Sequence, residues 1–301
     1  MFVGVITVLL TSLIVPLLLG ALPMWVLLHP GCNQTPDPSA YGFSNFQTVQ
    51  IPAQEGGSWR GYYLAGSGER ADMLILVPAA YNGDAGGSLH EVQTLAQAGY
   101  SALTIESVVC ARGGVHTLGP YEAVQVEDAL RYLPTNTDGI PTSFSKIGLH
   151  GFSSAGASSI FAAARDLRIA AVLAEGNYSD LDAYLSVGGS GNVLEALMVF
   201  AARSAYRLIS GLDTDALTPV RAISQIPPRP IFLIYGELEA IRGGAQKLVA
   251  AAKAADPSAK VELWIVPGVE HGGYIYAQGG LEEYRQRVVS FFDCALLEKC
   301  S

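Results

Sequence analysis

The strongest constraint on this 301-residue chain is a repeated alternation of short apolar runs and helical segments from Met73 onward. Runs such as Met73–Val77 and Ile169–Ala174 are continuously apolar, which is typical of parallel strands that helices cover on both faces. Segments between such runs have helical spacing, for example Tyr121–Leu133. The alternation predicts an α/β fold with a mostly parallel, doubly wound sheet.

Further elements extend this pattern on both sides. Phe46–Pro52 and Trp59–Leu64 are separated by a glycine-containing turn, which predicts an antiparallel hairpin before the parallel strands. The other predicted strands are Tyr100–Ile105, Lys146–Leu149, Pro230–Tyr235 and Val261–Val266. The other predicted helices are Leu89–Ala98, Ala155–Arg165, Gly244–Ala255 and Leu281–Leu297.

One insertion, at about residues 183–222, interrupts the alternation. It contains an almost wholly apolar helix, Val193–Ile209, which Asn192 is able to cap at its start and Gly211 at its end. We expect a helical cap over a substrate pocket, because insertions at the carboxyl edge of such sheets border ligand sites. A helix that serves packing alone is the alternative.

The N-terminus is an apolar run without a charged side chain, Phe2–Leu28. A run of this length can cross a bilayer, so we expect residues 1–29 to be a membrane anchor or signal, and a transmembrane helix that is not cleaved is favoured. Residues 30–45, rich in Pro, Gly, Ser and Asn, are predicted to be a linker to a domain over residues 46–301. The domain is expected to be membrane-anchored or exported, outside the cytoplasm.

Charge and cysteine content narrow the function further. The net charge is −9 and the basic residues are scattered, which argues against a nucleic-acid partner. No metal, phosphate or dinucleotide motif occurs, so no cofactor or metal is expected. Cys294 and Cys300 are able to pair in an oxidising compartment, whereas the alternative leaves free thiols at all four cysteines, which are Cys32, Cys110, Cys294 and Cys300.

A candidate nucleophile lies between a predicted strand and a predicted helix. Ser153 has Gly151 two residues before it and Ala155 two residues after it. Small residues at these positions allow the sharp strand-to-helix turn of a nucleophile elbow, where the hydroxyl points outward, although the strict G-x-S-x-G motif is missed by one methyl group. Ser154 is an alternative nucleophile, but Phe152 at its minus-two position argues against it.

Two further candidates follow later strands. Glu239 follows the strand Pro230–Tyr235, and His271 follows the strand Val261–Val266. The carboxyl ends of parallel strands meet in one crevice, so Ser153, Glu239 and His271 are predicted to form a triad. The imidazole would take the serine proton and the carboxylate would hold the imidazole. Alternative acids are Glu237, Asp180 and Asp182.

These motifs together resemble the α/β-hydrolase superfamily, over about Phe46 to Leu297. The segments that carry the resemblance are KIGLHGFSSAG from Lys146, PIFLIYGELE from Pro230, VPGVEHG from Val266 and LILVPAAY from Leu74. The branch that resembles them most is that of dienelactone hydrolases and acyl-peptidases. The resemblance implies an oxyanion hole with the Ser154 N–H and, as second donor, the N–H of Ala80 or Tyr81, because Pro78-Ala79 replaces the family's frequent His-Gly.

The expected function is that of a serine hydrolase that cleaves carboxylic esters through an acyl-enzyme. Its expected substrate is a small-molecule ester or acyl compound, and the N-terminal helix is expected to meet the membrane. A peptidase of the acyl-peptidase type is the second hypothesis. A non-catalytic binding protein with the hydrolase fold is the third.

Overall fold

The computed structural model describes residues 2–181, 192–274 and 280–300. Within these residues, eight strands form one sheet in the order β1-β2-β4-β3-β5-β6-β7-β8. The strands are β1 Phe46–Pro52, β2 Ser58–Leu64, β3 Met73–Pro78, β4 Ser101–Ile105, β5 Lys146–Phe152, β6 Ile169–Glu175, β7 Ile231–Gly236 and β8 Val261–Val266. Strands β1 and β2 pair antiparallel, β2 pairs antiparallel with β4, and the other neighbours are parallel. The predicted mostly parallel sheet is confirmed.

Helices cover both faces of this sheet. The α-helices of the described residues are α1 Phe2–Leu28, α2 Leu89–Ala98, α3 Val108–Arg112, α4 Glu122–Tyr132, α5 Ser154–Arg165, α6 Val193–Ser210, α7 Pro219–Ala222, α8 Glu237–Gly243, α9 Ala245–Ala255 and α10 Gly280–Leu297. Apolar residues of α4, α5 and α9 pack on one face, and those of α2 and α10 pack on the other. Strands β3, β4 and β7 are buried along their whole length, because helices cover both of their faces.

The predicted apolar helix of the cap segment forms as α6. The Asn192 side chain accepts a hydrogen bond of 2.8 Å from the Glu195 N–H, and Gly211 ends the helix with a φ of 71°. Ala202 and Tyr206 of α6 are buried in an apolar cluster that also contains Leu118, Leu181 and Leu217. Residues 183–191 of the expected cap lie outside the described residues.

The N-terminal helix α1 packs against α6. Met24 and Leu28 are buried in the same cluster as Ala202 and Tyr206. At Gly20 the two helices approach so closely that a Cβ atom would collide with the carbonyl oxygen of Met198. Small residues at a crossing point allow two helix backbones to come into contact, so α1 and α6 form one pair.

The expected transmembrane helix over residues 1–29 finds no support in the structure. Within the described residues, which include the side chains of α1 from Ile14 onward, no helix is both long enough and apolar enough to cross a membrane. A membrane-spanning helix and a helix that packs within a protein can have the same apolar sequence pattern. Here Met24 and Leu28 of α1 are buried within the protein.

Residues 30–45, for which a linker was predicted, lie against the domain. A disulfide joins Cys32 to Cys110 of α3, and Asn33 forms a β-bridge with Gly83. A second disulfide joins Cys294 of α10 to Cys300. The first disulfide ties the segment after α1 to α3, which follows β4.

Candidate active site

Ser153 occupies a strained turn between β5 and α5. Its backbone has φ 56° and ψ −123°, and its N–H donates a hydrogen bond of 2.7 Å to the carbonyl oxygen of Glu175. A Cβ atom on Gly151 would collide with the Ala155 carbonyl group, so the minus-two position requires glycine. Ala155 is buried as the second residue of α5, which shows that its methyl group fits. The predicted strand-to-helix turn is present.

The structure brings Ser153, His271 and Glu239 together at the carboxyl edge of the sheet. The Ser153 Oγ lies 3.0 Å from His271 Nε2, and His271 Nδ1 lies 2.6 Å from Glu239 Oε2. With a proton on Nδ1, the imidazole donates to the carboxylate and Nε2 accepts from the serine hydroxyl. Gly176, at φ 58°, permits this arrangement, because a Cβ atom there would lie 2.8 Å from His271 Nδ1.

The Glu239 carboxylate is held in its ionised form. Glu239 lies in the first turn of α8, where its Oε1 accepts a hydrogen bond of 3.0 Å from the Gly236 N–H and another from the Tyr274 hydroxyl. Burial raises the pKa of Glu239, but hydrogen bonds from His271, Tyr274 and Gly236 outweigh burial and leave the pKa below its usual value. Burial, together with the neighbouring Glu239 carboxylate, raises the pKa of Tyr274, which therefore stays a neutral donor.

The alternative acids have other partners. Glu237 Oε2 accepts from the Gly268 N–H at 2.8 Å. Asp180 lies 3.8 Å from Lys247 Nζ, in an ion pair. Asp182 lies outside the described residues. Among the acids that the structure describes, Glu239 is the one that contacts the His271 ring.

The candidate oxyanion donors surround the turn at Ser153. Ser154 is the first residue of α5, where a backbone N–H has no partner within the helix. The Tyr81 N–H donates to the Ser154 Oγ at 2.7 Å, and Tyr81 has a φ of 49°. Within the described residues no hydrogen bond occupies the Ala80 N–H. The geometry thus favours Ala80 over Tyr81 as the second donor.

A cavity of about 540 Å³ opens beside Ser153. Its apolar wall comes from three separate parts of the chain, namely Leu27 of α1, Leu118 before α4 and Leu181. The other lining residues are Ala80, Tyr81, Asn82, Phe152, Ser153, Ser154, Gly176, Asn177, Tyr178, Glu239, Gly243 and His271. Sequence reasoning missed Leu27, because nothing in a uniformly apolar helix marks one leucine as a pocket residue.

A buried polar group beneath the turn was also missed. His150 Nε2 lies 2.8 Å from Glu175 Oε1, which also accepts from the Tyr284 hydroxyl at 2.5 Å. Glu91 of α2 also interacts with the charge of Glu175. Burial, and to a lesser extent the Glu175 carboxylate, raise the pKa of the Glu91 carboxyl to about 7. His150 therefore partners a carboxylate at the end of β6.

Across the described ranges, no group of three or more His, Cys, Asp or Glu side chains is arranged to hold a metal ion. The polar atoms at the cavity instead belong to a serine, an imidazole and a carboxylate connected by hydrogen bonds.

Solved hydrolase structures share this fold. An esterase from Pyrococcus furiosus superposes with a TM-score of 0.66 at 19% identity, covering 87% of this chain and 97% of the esterase. The α/β hydrolase GrgF from Penicillium sp. sh18 gives a TM-score of 0.57 at 17% identity, covering 84% of this chain and 99% of that protein. The 2,6-dihydroxy-pseudo-oxynicotine hydrolase gives a TM-score of 0.58 at 16% identity, covering 85% of this chain and 69% of that enzyme.

Sequence comparison finds no match, since no protein-family model fits the chain and no curated protein is significantly similar to it. The structural matches show that the chain has the α/β-hydrolase fold. The resemblance that the sequence motifs indicated is thereby confirmed at the level of the fold.

The lowered pKa of Glu239 predicts a pH dependence of stability. A carboxyl whose pKa is lower in the folded than in the unfolded chain, where it is about 4.3, stabilises the fold above that value. This stabilisation is lost as the pH falls through the folded pKa. We therefore expect the wild-type protein to have a larger free energy of unfolding in urea than Glu239→Gln. The difference between the two proteins should shrink as the pH falls from about 5 to about 3. A margin that stays constant across this range would contradict the assignment.

Proposed function

We propose that this protein is a serine hydrolase that cleaves carboxylic esters through an acyl-enzyme intermediate. Ser153 is the nucleophile, His271 the general base and acid, and Glu239 the carboxylate that holds the imidazole. The observation that carries the proposal is the chain of two hydrogen bonds, of 3.0 Å and 2.6 Å, that joins these side chains at a cavity.

The first half of the reaction forms the acyl-enzyme. The Ser153 Oγ attacks the carbonyl carbon of the ester while its proton passes to His271 Nε2. The negative charge that develops on the carbonyl oxygen is stabilised by the N–H groups of Ser154 and Ala80. Collapse of the tetrahedral intermediate breaks the bond to the alcohol, which leaves with the proton from His271.

The second half releases the acid. A water molecule gives its proton to His271 Nε2 as its oxygen attacks the acyl carbonyl carbon. The tetrahedral intermediate then collapses, and Ser153 takes the proton back from His271 as its bond to the acyl group breaks. Throughout, the ionised Glu239 carboxylate stabilises the imidazolium and keeps its Nδ1 proton in place.

The cavity indicates a substrate with an apolar acyl group. Three leucines, Leu27, Leu118 and Leu181, form its wall, and its volume of about 540 Å³ lies within the range of small-molecule sites. Burying a hydrocarbon chain against such a wall is favourable by about 0.8 kcal/mol for each CH₂ group. An ester whose acid part is a short or medium hydrocarbon chain fits this description.

We also propose that the protein works outside the cytoplasm. Two disulfides support this location, because such bonds persist in oxidising compartments and are rare in the cytosol. Both bridges should be present in the protein as isolated from its native cells. Alkylation with and without reductant, followed by mass spectrometry, should show four protected cysteines, whereas four freely alkylated thiols would contradict the proposal.

A fluorophosphonate probe tests the nucleophile. The probe should label the wild-type protein and fail to label Ser153→Ala, because it phosphonylates a serine that an imidazole activates. Ser258→Ala is the matched control, since Ser258 lies exposed in a turn before β8 at the opposite end of the strands. Labelling that persists in Ser153→Ala, or its absence from folded wild type, would overturn the proposal.

A series of p-nitrophenyl esters tests the acyl pocket. Leu27→Ala enlarges the cavity and should raise the ratio of kcat/KM for long over short acyl chains about tenfold, since one methylene group changes such discrimination by about 10- to 200-fold. Val26→Ala, on the exposed side of α1, should leave the ratio unchanged.

Peptide amides with matched acyl groups should be cleaved much more slowly than esters, and the reverse order would favour a peptidase.

A further inference from the structure

The segment that follows α1 runs alongside the loop that carries the candidate oxyanion donor. We define residues 27–35 as the N-terminal strap and residues 79–84, which follow β3, as the oxyanion loop. The Tyr81 hydroxyl donates to the Leu27 carbonyl oxygen at 2.9 Å, and Asn82 Nδ2 donates to the Gly31 carbonyl oxygen at 2.7 Å. Two side chains of the oxyanion loop therefore hold the main chain of the strap.

Main-chain hydrogen bonds join the same two segments. The Asn33 N–H donates to the Asn82 carbonyl oxygen at 2.8 Å, and the Asp84 N–H donates to the Asn33 carbonyl oxygen at 3.2 Å. At the end of the strap, Thr35 donates to the Asp84 carboxylate through both its N–H and its hydroxyl group. The oxyanion loop thus contacts the strap through an isolated parallel bridge at Asn33 and Gly83 and through side-chain hydrogen bonds on both sides of it.

The Cys32–Cys110 disulfide fastens this pairing to the sheet. Cys110 belongs to α3, which follows β4, and its Sγ lies 3.2 Å from the Asn82 carbonyl oxygen. The Ser107 N–H, just before α3, donates to the Gly83 carbonyl oxygen at 2.9 Å. The oxyanion loop is therefore held between the strap on one side and α3 on the other.

The backbone of the oxyanion loop needs such support. Tyr81 adopts a φ of 49°, in the left-handed region that is sterically unfavourable for a residue with a Cβ atom. Its N–H donates to the Ser154 Oγ, and within the described residues no hydrogen bond occupies the adjacent Ala80 N–H. A strained backbone of this kind persists where the surrounding structure determines it, and here the surroundings are the strap and α3.

We propose that the N-terminal strap, locked by the Cys32–Cys110 disulfide, positions the oxyanion loop so that the Ala80 N–H points at the developing oxyanion. This inference rests on the proposed hydrolase function. Oxyanion donors are effective because they are oriented before the charge appears, and loss of one donor lowers kcat by about 10²–10³-fold. A released strap should therefore lower kcat while substrate binding in the ground state changes little.

Two paired disulfide variants test the proposal. In Cys32→Ser/Cys110→Ser, kcat for a soluble p-nitrophenyl ester should fall at least about tenfold, with KM within about twofold of wild type. Cys294→Ser/Cys300→Ser is the matched control, because it removes the bridge at the end of α10 and should leave kcat unchanged. Equal kcat values in the two variants, measured well below both melting temperatures, would overturn the proposal.

A reversible form of the experiment tests the same disulfide without the Cys32→Ser/Cys110→Ser variant, which could fail to fold. The Cys294→Ser/Cys300→Ser protein retains one disulfide, Cys32–Cys110. Dithiothreitol reduces it by giving up two electrons and two protons, which forms two thiols in the protein and a cyclic disulfide in the reagent. Reduction should lower kcat and reoxidation should restore it, whereas a kcat that does not respond to reduction would overturn the proposal.

An alkylboronic acid provides a readout that general loosening of the fold would not give. The boronate forms a tetrahedral adduct on Ser153 with an oxygen in the oxyanion hole, whereas the matching neutral amide binds without that charge. Releasing the strap should weaken the boronate by the same factor as kcat and leave the amide affinity within about twofold. Equal weakening of both ligands would overturn the positioning role.

The failure of the proposed function is distinguishable from the failure of this inference. If the oxidised wild-type protein neither hydrolyses esters nor reacts with the fluorophosphonate probe, both proposals are overturned. If it does both and the strap variants behave like the control, only the positioning role of the strap is overturned.

Discussion

The structure depends on close backbone contact around Ser153. Gly151 brings β5 against the start of α5, and Gly176, at the end of β6, leaves room for the His271 ring. The Ser153 N–H is meanwhile fixed to the carbonyl oxygen of Glu175. A Cβ atom at Gly151 would displace the turn at Ser153, and one at Gly176 would displace the His271 ring. The geometry of the candidate site therefore depends on the sheet and on these two glycines.

The charge of the Glu239 carboxylate is stabilised by hydrogen bonds from its neighbours. Glu239 uses one carboxylate oxygen for Tyr274 and Gly236 and the other for His271. Because all three partners are donors, the carboxylate stays ionised although it is largely buried, and the orientation of the imidazole is determined. Hydrogen bonds to a half-exposed histidine can thus fix a tautomer without a fully buried ion pair.

Local patterns in the sequence predict the sheet and the positions of the candidate triad residues, because strand burial and turn chemistry depend on residues close together in the chain. Ser153, Glu239 and His271 each follow an apolar strand, and parallel strands bring such positions together. Tyr274 and Leu27 could not be found this way, since their roles depend on contacts with distant segments. The uncharged N-terminal run is ambiguous in principle, because a bilayer and a packing surface on α6 select the same apolar residues.

In the proposed mechanism, catalytic orientation and substrate selection therefore have different structural origins. The candidate triad follows the carboxyl ends of three strands, whereas one part of the cavity wall, Leu27, and part of the support of the oxyanion loop come from residues 27–35, far away in sequence. A local opening of the strap would alter the second set without disturbing the hydrogen bonds of the first. Since Leu27 lines the cavity and its carbonyl oxygen accepts a hydrogen bond from the Tyr81 hydroxyl, the proposed mechanism couples chain-length preference to oxyanion stabilisation through one residue of the N-terminal helix.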